Sequence, residues 1–231
     1  DGENWEKEAK RMNTGALVNI NGGQVPTLEI LVMMTVVMLL PSIVVMMTSF
    51  VRIIIILSFT RNAIGVQQTP PNMVLVGIAL FLTLFIMDPV IKDINTEAYE
   101  PYKNGEIAQE EALDRATVPM KKFMLKQTEV STLNLYVDMA GIEEKTAPED
   151  LPMRVVIPSF MTSELKRGFM AGLLLFIPFL LIDIIVSSTL MSMGMIMLPP
   201  ATIALPFKLL LFVTLNGWEL LFSSIVQSFN Y

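Results

Sequence analysis

The sequence predicts an all-α, membrane-associated protein in which two long helical hairpins flank a small helical insert. Three observations support this fold class. Hydrophobic residues make up 53% of the 231 residues, and the mean hydropathy is +0.58, which is too apolar for an ordinary soluble domain. The uncharged residues form four long runs, joined in pairs by turns that each contain a double proline. Residues 92–167, in contrast, hold 24 of the 38 charged residues.

Composition excludes several classes of function. The chain has no Cys and no His, which excludes disulfides, thiol nucleophiles, His-based acid–base catalysis and the usual zinc ligand sets. No phosphate-binding loop of the G-x-x-x-x-G-K type occurs, and no basic stripe supports nucleic-acid binding. The net charge of −6 belongs largely to the insert. Chemistry that uses carboxylates alone remains possible, but no catalytic constellation stands out in the insert. We predict a protein that is not an enzyme, with no catalytic residue, metal or cofactor.

The pattern divides the chain into four segments. These are an N-terminal extracytoplasmic segment at residues 1–27, a first helical hairpin at 28–91, a hydrophilic extracytoplasmic insert at 92–167, and a second hairpin at 168–231 that carries a Met-rich loop at 190–200. Residues 1–27 contain no apolar period long enough for an element of their own. The extracytoplasmic placement follows if the N-terminus is exported behind a cleaved signal peptide.

Residues that interrupt the apolar pattern predict where the helices of each segment begin and end. The run at residues 28–59 would be about 48 Å long as one helix, so we expect a kink at Pro41. Thr69, before two prolines, is expected to cap the next helix, whose uncharged run at 73–87 is only about 22 Å long and short for a membrane span. In the insert we expect a helix at 106–117, a further helical turn that starts at Pro119, and a third helix at 131–140 that is stopped by Gly141.

The rest of the insert looks less regular. Residues 145–158 contain three prolines and are expected to form a loop, followed by the third apolar run at 168–198. The apolar stripe of the insert is thin, which favours packing against copies of itself or against a partner.

Three charged residues within or next to the apolar runs are candidate buried charges. Arg52 is expected either to pair inside the protein or to extend its charge to the membrane interface. Asp88 either lies at the membrane edge or belongs to a hairpin that does not cross lipid in the ordinary way. Asp183, the most deeply embedded, is a candidate proton or ion site, or a structural partner of Arg52 or of a backbone donor.

Buried charges of this kind allow an alternative function. An ion- or proton-coupled transporter would use Arg52, Asp88 and Asp183 within the membrane. An intramembrane protease is a weaker possibility, because neither Asp88 nor Asp183 lies in a Gly-Asp or Tyr-Asp setting.

Four methionines occupy every second position of the loop at 190–200. They are Met191, Met193, Met195 and Met197. Residues two apart point to opposite sides of a helix but to one side of an extended chain, and Gly194 with Pro199-Pro200 favours the extended form. Because methionine is flexible and polarizable, the row would form a soft apolar surface that closes on itself or around other chains. A packing turn between two buried helices is the alternative.

Several motifs together resemble one family. They lie at residues 47–52, 57–65, 67–72, 120–123, 163–166, 190–200 and 205–212, in an order and spacing that resemble the FliP/SctR family, which forms the core of the type III secretion export gate. The resemblance covers residues 28–231. Thr69 before the two prolines, and the ending Gln227-Ser228-Phe229, resemble the flagellar rather than the injectisome branch.

The resemblance implies a subunit of the flagellar basal body in the bacterial inner (cytoplasmic) membrane. It implies a homopentamer that builds a conical channel with FliQ and FliR, works beside FlhA and FlhB, and passes unfolded flagellar export substrates. The hairpins would lie largely above the bilayer plane, shielded by neighbouring subunits, and the methionine loop would be a gasket at the narrowest point.

The resemblance also assigns site residues. The pore gate would consist of Met193, Met195, Ile196, Met197 and Leu198. Where the family typically has three consecutive methionines, this chain has Met195-Ile196-Met197, so the middle side chain is stiffer. Glu164 and Lys208 match charged positions expected to contact subunits or partners, and we expect them to pair, within or between subunits.

Overall fold

The computed structural model describes residues 17–20, 23–66, 68–142, 146–195 and 197–229. Helices make up most of this part of the chain, which confirms the all-α fold class. In chain order they are α1 (Thr27–Met46), α2 (Phe50–Ile64), α3 (Asn72–Ile94), α4 (Glu100–Lys103), α5 (Gln109–Gln127), α6 (Val130–Met139), α7 (Met153–Ser192), α8 (Pro200–Thr214) and α9 (Gly217–Gln227), with a π-helical turn at Asn95–Tyr99 and a 3₁₀ turn at Pro148–Asp150.

The chain forms two compact units, Asp1–Val44 and Val45–Tyr231. The first contains a short antiparallel hairpin of β1 (Leu17–Ile20) and β2 (Gly23–Pro26), with Val18 opposite Val25. The prediction that residues 1–27 carry no element was therefore wrong. Asn-Gly between two short strands is the strongest local hairpin signal, and Asn21-Gly22 stands at that place in the sequence. Residues 1–16 and 21–22 lie outside the described residues.

Both runs of the first hairpin differ from their predicted lengths. The run at 28–59 comprises α1, which contains Pro41, and α2, with a break at residues 47–49. The second helix does not stop at 87, because α3 continues through Pro89 and the π-helical turn to Lys103. Pro71, not Thr69, occupies its N-cap position. The 32 residues from Asn72 to Lys103 give about 48 Å of helix, enough to cross a bilayer.

Prolines that were expected to break helices lie inside them. Pro119 is buried within a continuous α5, and Pro158 lies within α7, which begins at Met153 rather than after a loop. An interior proline costs an isolated helix about 3 kcal/mol, but these helices are held by packing on both sides of the residue. The end of α6 at Gly141 is confirmed, since Gly141 adopts φ +64 and Ile142 N–H donates to Val137 O at 3.2 Å.

The core of the second unit brings the insert and the hairpin helices together. Ile53 and Leu57 of α2 pack in one cluster with Phe123 of α5, Val156 of α7 and Ile225 of α9. The insert therefore packs on helices of its own chain, instead of depending only on copies or a partner for its core. A smaller cluster forms around Ala63, Ile64 and Phe179.

Two helical segments of the described residues are long and apolar enough to cross a membrane, Asn72–Lys103 and Met153–Ser192. The bent pair α8 and α9 would make a third if counted as one span, with an angle of 63° between its halves. The bend follows Thr214, where Asn216 adopts a left-handed conformation at φ 49. These helices fit a membrane-embedded protein.

Candidate functional site

The Met-rich loop connects the end of α7 to the start of α8. Gly194 ends α7 in a left-handed conformation at φ +75. Its N–H donates to Met191 O at 3.0 Å and the Met195 N–H donates to Leu190 O at 3.0 Å, which together form a Schellman cap. The fully extended run predicted from residue 190 is therefore wrong, because Met191 is still helical and does not share a period with Met195.

The side chains of this loop are open to the surroundings. Met197 is 98% exposed, and Met193, Met195 and Leu198 are exposed as well. Ile196, the middle position of the expected gate, lies outside the described residues. A turn packed between two buried helices would bury these side chains, so the alternative interpretation does not describe the single chain. The loop presents an apolar tip that only another molecule or another subunit can cover.

Arg52 is buried and paired inside the protein. Its Nε donates to Glu164 Oε2 at 3.0 Å, and its Nη2 donates to Glu164 Oε1. Glu164, on α7, is completely buried. The two parallel bonds match the planar guanidinium to the carboxylate. Of the two alternatives left open for Arg52, pairing rather than extension to an interface is confirmed.

The remaining donors of Arg52 bind two further elements. Nη1 donates to Ser228 O at 3.1 Å and to Ser228 Oγ at 3.2 Å, and Nη2 reaches Gln127 Oε1 at 3.3 Å. The guanidinium carbon lies 3.8 Å from the ring centroid of Phe229, within range of a cation–π interaction. One side chain thus joins α2, the end of α5, the middle of α7 and the segment after α9.

A second ion pair lies close to the Met-rich loop along the chain. Lys208 Nζ of α8 donates to Asp183 Oδ2 of α7 at 2.6 Å and to Ala63 O at 3.2 Å. Ala63 lies in the last turn of α2, where carbonyl groups are free to accept and the helix dipole favours a cation. Lys208 is buried, so this pair fastens the two helices that carry the loop to the end of α2.

Asp88 is not buried in the chain, contrary to prediction. Its side chain is 56% exposed and accepts a bond from Lys92 Nζ at 2.6 Å, one turn further along α3. The helix continues beyond Asp88 and turns this carboxylate outward. Arg52, Asp88 and Asp183 each have a different partner, so the structure does not bring together the set that the transporter alternative requires.

Glu164 and Lys208 are not paired with each other in one chain. Glu164 binds Arg52, and Lys208 binds Asp183. Asp183 does have a structural partner, as one interpretation proposed, but that partner is Lys208 rather than Arg52. Pairing of Glu164 and Lys208 between subunits stays a prediction.

Sequence reasoning missed Gln127 and Ser228 as partners of Arg52. Both are uncharged residues at helix ends, a pattern that carries no sign of a distant arginine. The Arg52–Glu164 pair could have been found, because Arg52 needs a carboxylate and Glu164 lies four residues before the apolar run at 168–198. Within the described ranges no group of three or more acidic side chains could hold a metal ion.

Comparison with known proteins gives one consistent match. A family model described as "FliP family" matches residues 33–225, which include the loop and both ion pairs. A protein named "Flagellar biosynthetic protein FliP" from Pectobacterium carotovorum is 52% identical over 211 residues, covering 90% of this chain and 82% of that protein.

Two further proteins carry the same name. The one from Buchnera aphidicola (Acyrthosiphon pisum) is 48% identical over 202 residues, 87% of this chain, which spans about half (53%) of that longer protein. The one from Bacillus subtilis is 47% identical over 203 residues, covering 88% of this chain and 92% of the relative.

Proposed function

Because the chain belongs to the FliP family, whose relatives are flagellar biosynthetic proteins, we propose that it is the pore-forming core subunit of the flagellar type III protein export gate. It conducts unfolded export substrates through a channel that its apolar loop seals. The observation that carries this proposal is the exposed row of Met193, Met195, Met197 and Leu198 at the tip between α7 and α8. An apolar tip without cover in the single chain suits a closure made by several copies.

The gate has two states. At rest, copies of the loop meet on the channel axis and exclude ions, because an apolar constriction sheds its water. A substrate parts the loops, and the flexible methionine side chains then close around it. Ile196 is stiffer at the centre of the motif, so apolar bulk rather than methionine itself is the property that seals.

The ion pair at the base of the loop supports this movement. Lys208 and Asp183 join α8 to α7, while the Schellman cap fixes where the loop leaves α7. The tip is therefore mounted on helices that are fastened together, and opening requires motion of the loop alone.

The gate assembles from several proteins. This subunit forms a homopentamer, combines with FliQ and FliR, and works beside FlhA and FlhB in the inner (cytoplasmic) membrane, with the insert on the extracytoplasmic side. Exposed aliphatic side chains along α7 support contact with neighbouring subunits. The subunit performs no enzymatic step, and the energy for export comes from other components.

The test removes bulk from the gate. The triple variant Met195→Ala, Ile196→Ala, Met197→Ala is expected to raise the ion permeability of cells that assemble it, because the three truncated side chains no longer fill the constriction. The triple leucine variant at the same positions keeps apolar bulk and is expected to remain sealed. Permeability is measured by ion uptake in cells, after the purified complexes have been shown to assemble.

A matched control truncates methionines elsewhere. Met73→Ala with Met139→Ala changes two exposed methionines outside the loop and should leave permeability unchanged. A triple alanine variant that assembles and does not leak ions would contradict the proposal that the loop is a gasket.

A further inference from the structure

A cavity of about 610 Å³ opens between α2, α7, α8 and α9. Its walls are aliphatic and aromatic, with Leu174, Phe179 and Leu211 among them. A cavity with such walls does not hold ordered water well, because water needs two or more polar partners. This open cavity is a groove, and a molecule that occupies it is therefore apolar over most of its length.

The polar groups of the groove include two arginines that share a partner. Arg52 and Arg167 both donate to Gln127 Oε1 at 3.3 Å, which places their guanidinium groups close together. Glu164 neutralises Arg52. No carboxylate of the described residues lies within 4.0 Å of a nitrogen of Arg167. The three charges together leave one positive charge at this end of an apolar groove.

The groove has the length of one lipid leaflet. It runs along α7 from Arg167 to Pro178, which is about 16 Å of helix. The hydrocarbon core of a bilayer is about 30 Å thick, so one leaflet supplies chains of about this length. A cation at one end and apolar walls along the rest fit an amphiphile with an anionic head.

We propose that the groove holds one acyl chain of an anionic phospholipid whose phosphate is bound by Arg167. The remaining N–H donors of Arg167 match phosphate oxygens, for which a planar guanidinium is suited. The bound chain covers apolar side chains of α7, α8 and α9 that the protein itself leaves open. This inference depends on the membrane association of the chain and not on export, so the leak experiment can fail while the lipid site stands.

The test uses the tryptophan beside the groove. Trp218 contacts Phe212 with ring centroids 5.1 Å apart, and Phe212 lines the groove. A Trp5→Phe background leaves Trp218 as the sole tryptophan of this chain, and any tryptophan of the partner proteins is replaced by phenylalanine. The full assembly is purified with its partners and placed in phosphatidylcholine bilayers that contain a minor fraction of lipid with brominated acyl chains. Brominated phosphatidylglycerol should quench Trp218 more strongly than brominated phosphatidylcholine at the same fraction.

Two variants test the binding of the lipid head group and of the acyl chain separately. Arg167→Gln should lower the preference for phosphatidylglycerol by about fivefold, which is the effect of one basic residue near anionic lipid. Lys166→Gln removes the neighbouring charge outside the groove and should change little. Ser224→Phe fills the groove, so quenching of Trp218 by either brominated lipid should fall to the level expected from the surrounding bilayer. Ser223→Phe lies on the same helix outside the groove and should not change the quenching.

Two results would overturn the proposal. Equal quenching by the two brominated lipids in the parent protein would show that no anionic head is selected. If Ser224→Phe dissociated the assembly but left lipid quenching unchanged, the groove would be occupied by a helix of a neighbouring subunit.

Discussion

The two ion pairs of the second unit differ in how completely their charges are satisfied. Every nitrogen of Arg52 donates a hydrogen bond, and both oxygens of Glu164 accept one. In the other pair, Asp183 Oδ2 accepts from Lys208, but Asp183 Oδ1 is buried without a partner among the described residues. A buried charge that loses its partner lowers the stability of the folded protein. The bonds of a complete network also depend on one another, so loss of one member weakens the others.

Removal of Glu164 should therefore destabilise the protein strongly. Glu164→Ala leaves Arg52 buried without its carboxylate, and we expect a loss of about 3–5 kcal/mol in the free energy of unfolding. Denaturant unfolding of the purified protein measures it. Replacing both residues, as Arg52→Met with Glu164→Leu, should recover a large part of this loss because no charge then remains to be solvated.

An exposed pair provides the control for Glu164. Glu111→Ala breaks the surface bridge to Arg115 on α5 and should cost less than about 1 kcal/mol. If Glu164→Ala were as mild as this control, Arg52 would not depend on Glu164.

Lys208 should be coupled to Asp183 and not to Glu164. A double-mutant cycle with Asp183→Asn and Lys208→Met should give an interaction free energy of about 0.5–3 kcal/mol, as expected for contacting residues. The cycle of Glu164→Gln with Lys208→Met should give a value near zero in the isolated subunit. Unfolding measurements on the four proteins of each cycle supply both values. A strong Glu164–Lys208 coupling that appears only in the assembled complex would instead support a bridge between subunits.

At the scale of elements, α2 and α7 meet along a seam of small residues. Gly168 and Gly172, four residues apart on α7, face Ile55 and Phe59 of α2. A Cβ atom on Gly172 would lie 2.5 Å from Phe59 Cγ and 2.8 Å from Phe59 Cβ. Such close approach of two helices is typical of small residues spaced by four.

Gly172→Ala should push these helices apart. The added methyl group meets atoms near the backbone of Phe59, which cannot move without the helix, so we expect a loss of about 1–3 kcal/mol in the free energy of unfolding. Gly77→Ala is the control, since no atom lies within 4 Å of its added Cβ inside α3. This variant should gain about 0.5–1 kcal/mol through helix propensity. Loss of stability in both variants would mean that the seam is not the cause.

Sequence patterns predicted the helices better than their ends. Gly141 was recognised as a helix stop because only a left-handed residue closes this cap, which is a local property, whereas Gly194 was expected to favour an extended loop and instead caps α7. Pro119 and Pro158 were taken as breaks, although packing on both sides holds the helix through them. The short hairpin at Leu17–Ile20 and Gly23–Pro26 was missed because four residues are too few for a period.

The candidate site was predicted in its charges but not in its pairs. Arg52 and Asp183 stand out in sequence because a charge in an apolar run must be compensated. Their partners are 112 and 25 residues away along the chain, and no spacing rule links residues so far apart. Pairing was decided by the packing of α2, α7 and α8, which only the structure gives.

At the scale of the whole molecule, apolar surface is distributed unevenly. In the most apolar stretch of α7, only 11% is buried in the chain. The corresponding stretch of the helical segment Asn72–Lys103 is 33% buried. Monomeric soluble proteins rarely expose apolar patches of this size. Either lipid or neighbouring subunits must therefore cover the second half of α7, where Leu181, Ile184 and Ile185 are exposed.

A charged substitution on this surface distinguishes between lipid and a neighbouring subunit as the molecule that covers it. Ile185 on α7 is 65% exposed, and Leu113 on α5 of the insert is 62% exposed. If neighbouring subunits of the proposed pentamer cover this surface, Ile185→Arg should prevent assembly, because an unpaired charge at the centre of a subunit interface costs several kcal/mol. Leu113→Arg introduces the same charge at an equally exposed leucine and should assemble normally. The mass of each solubilised complex and low-resolution images of it report the number of subunits. A complex of Ile185→Arg with unchanged mass and shape would mean that lipid, not a neighbouring subunit, covers this part of α7.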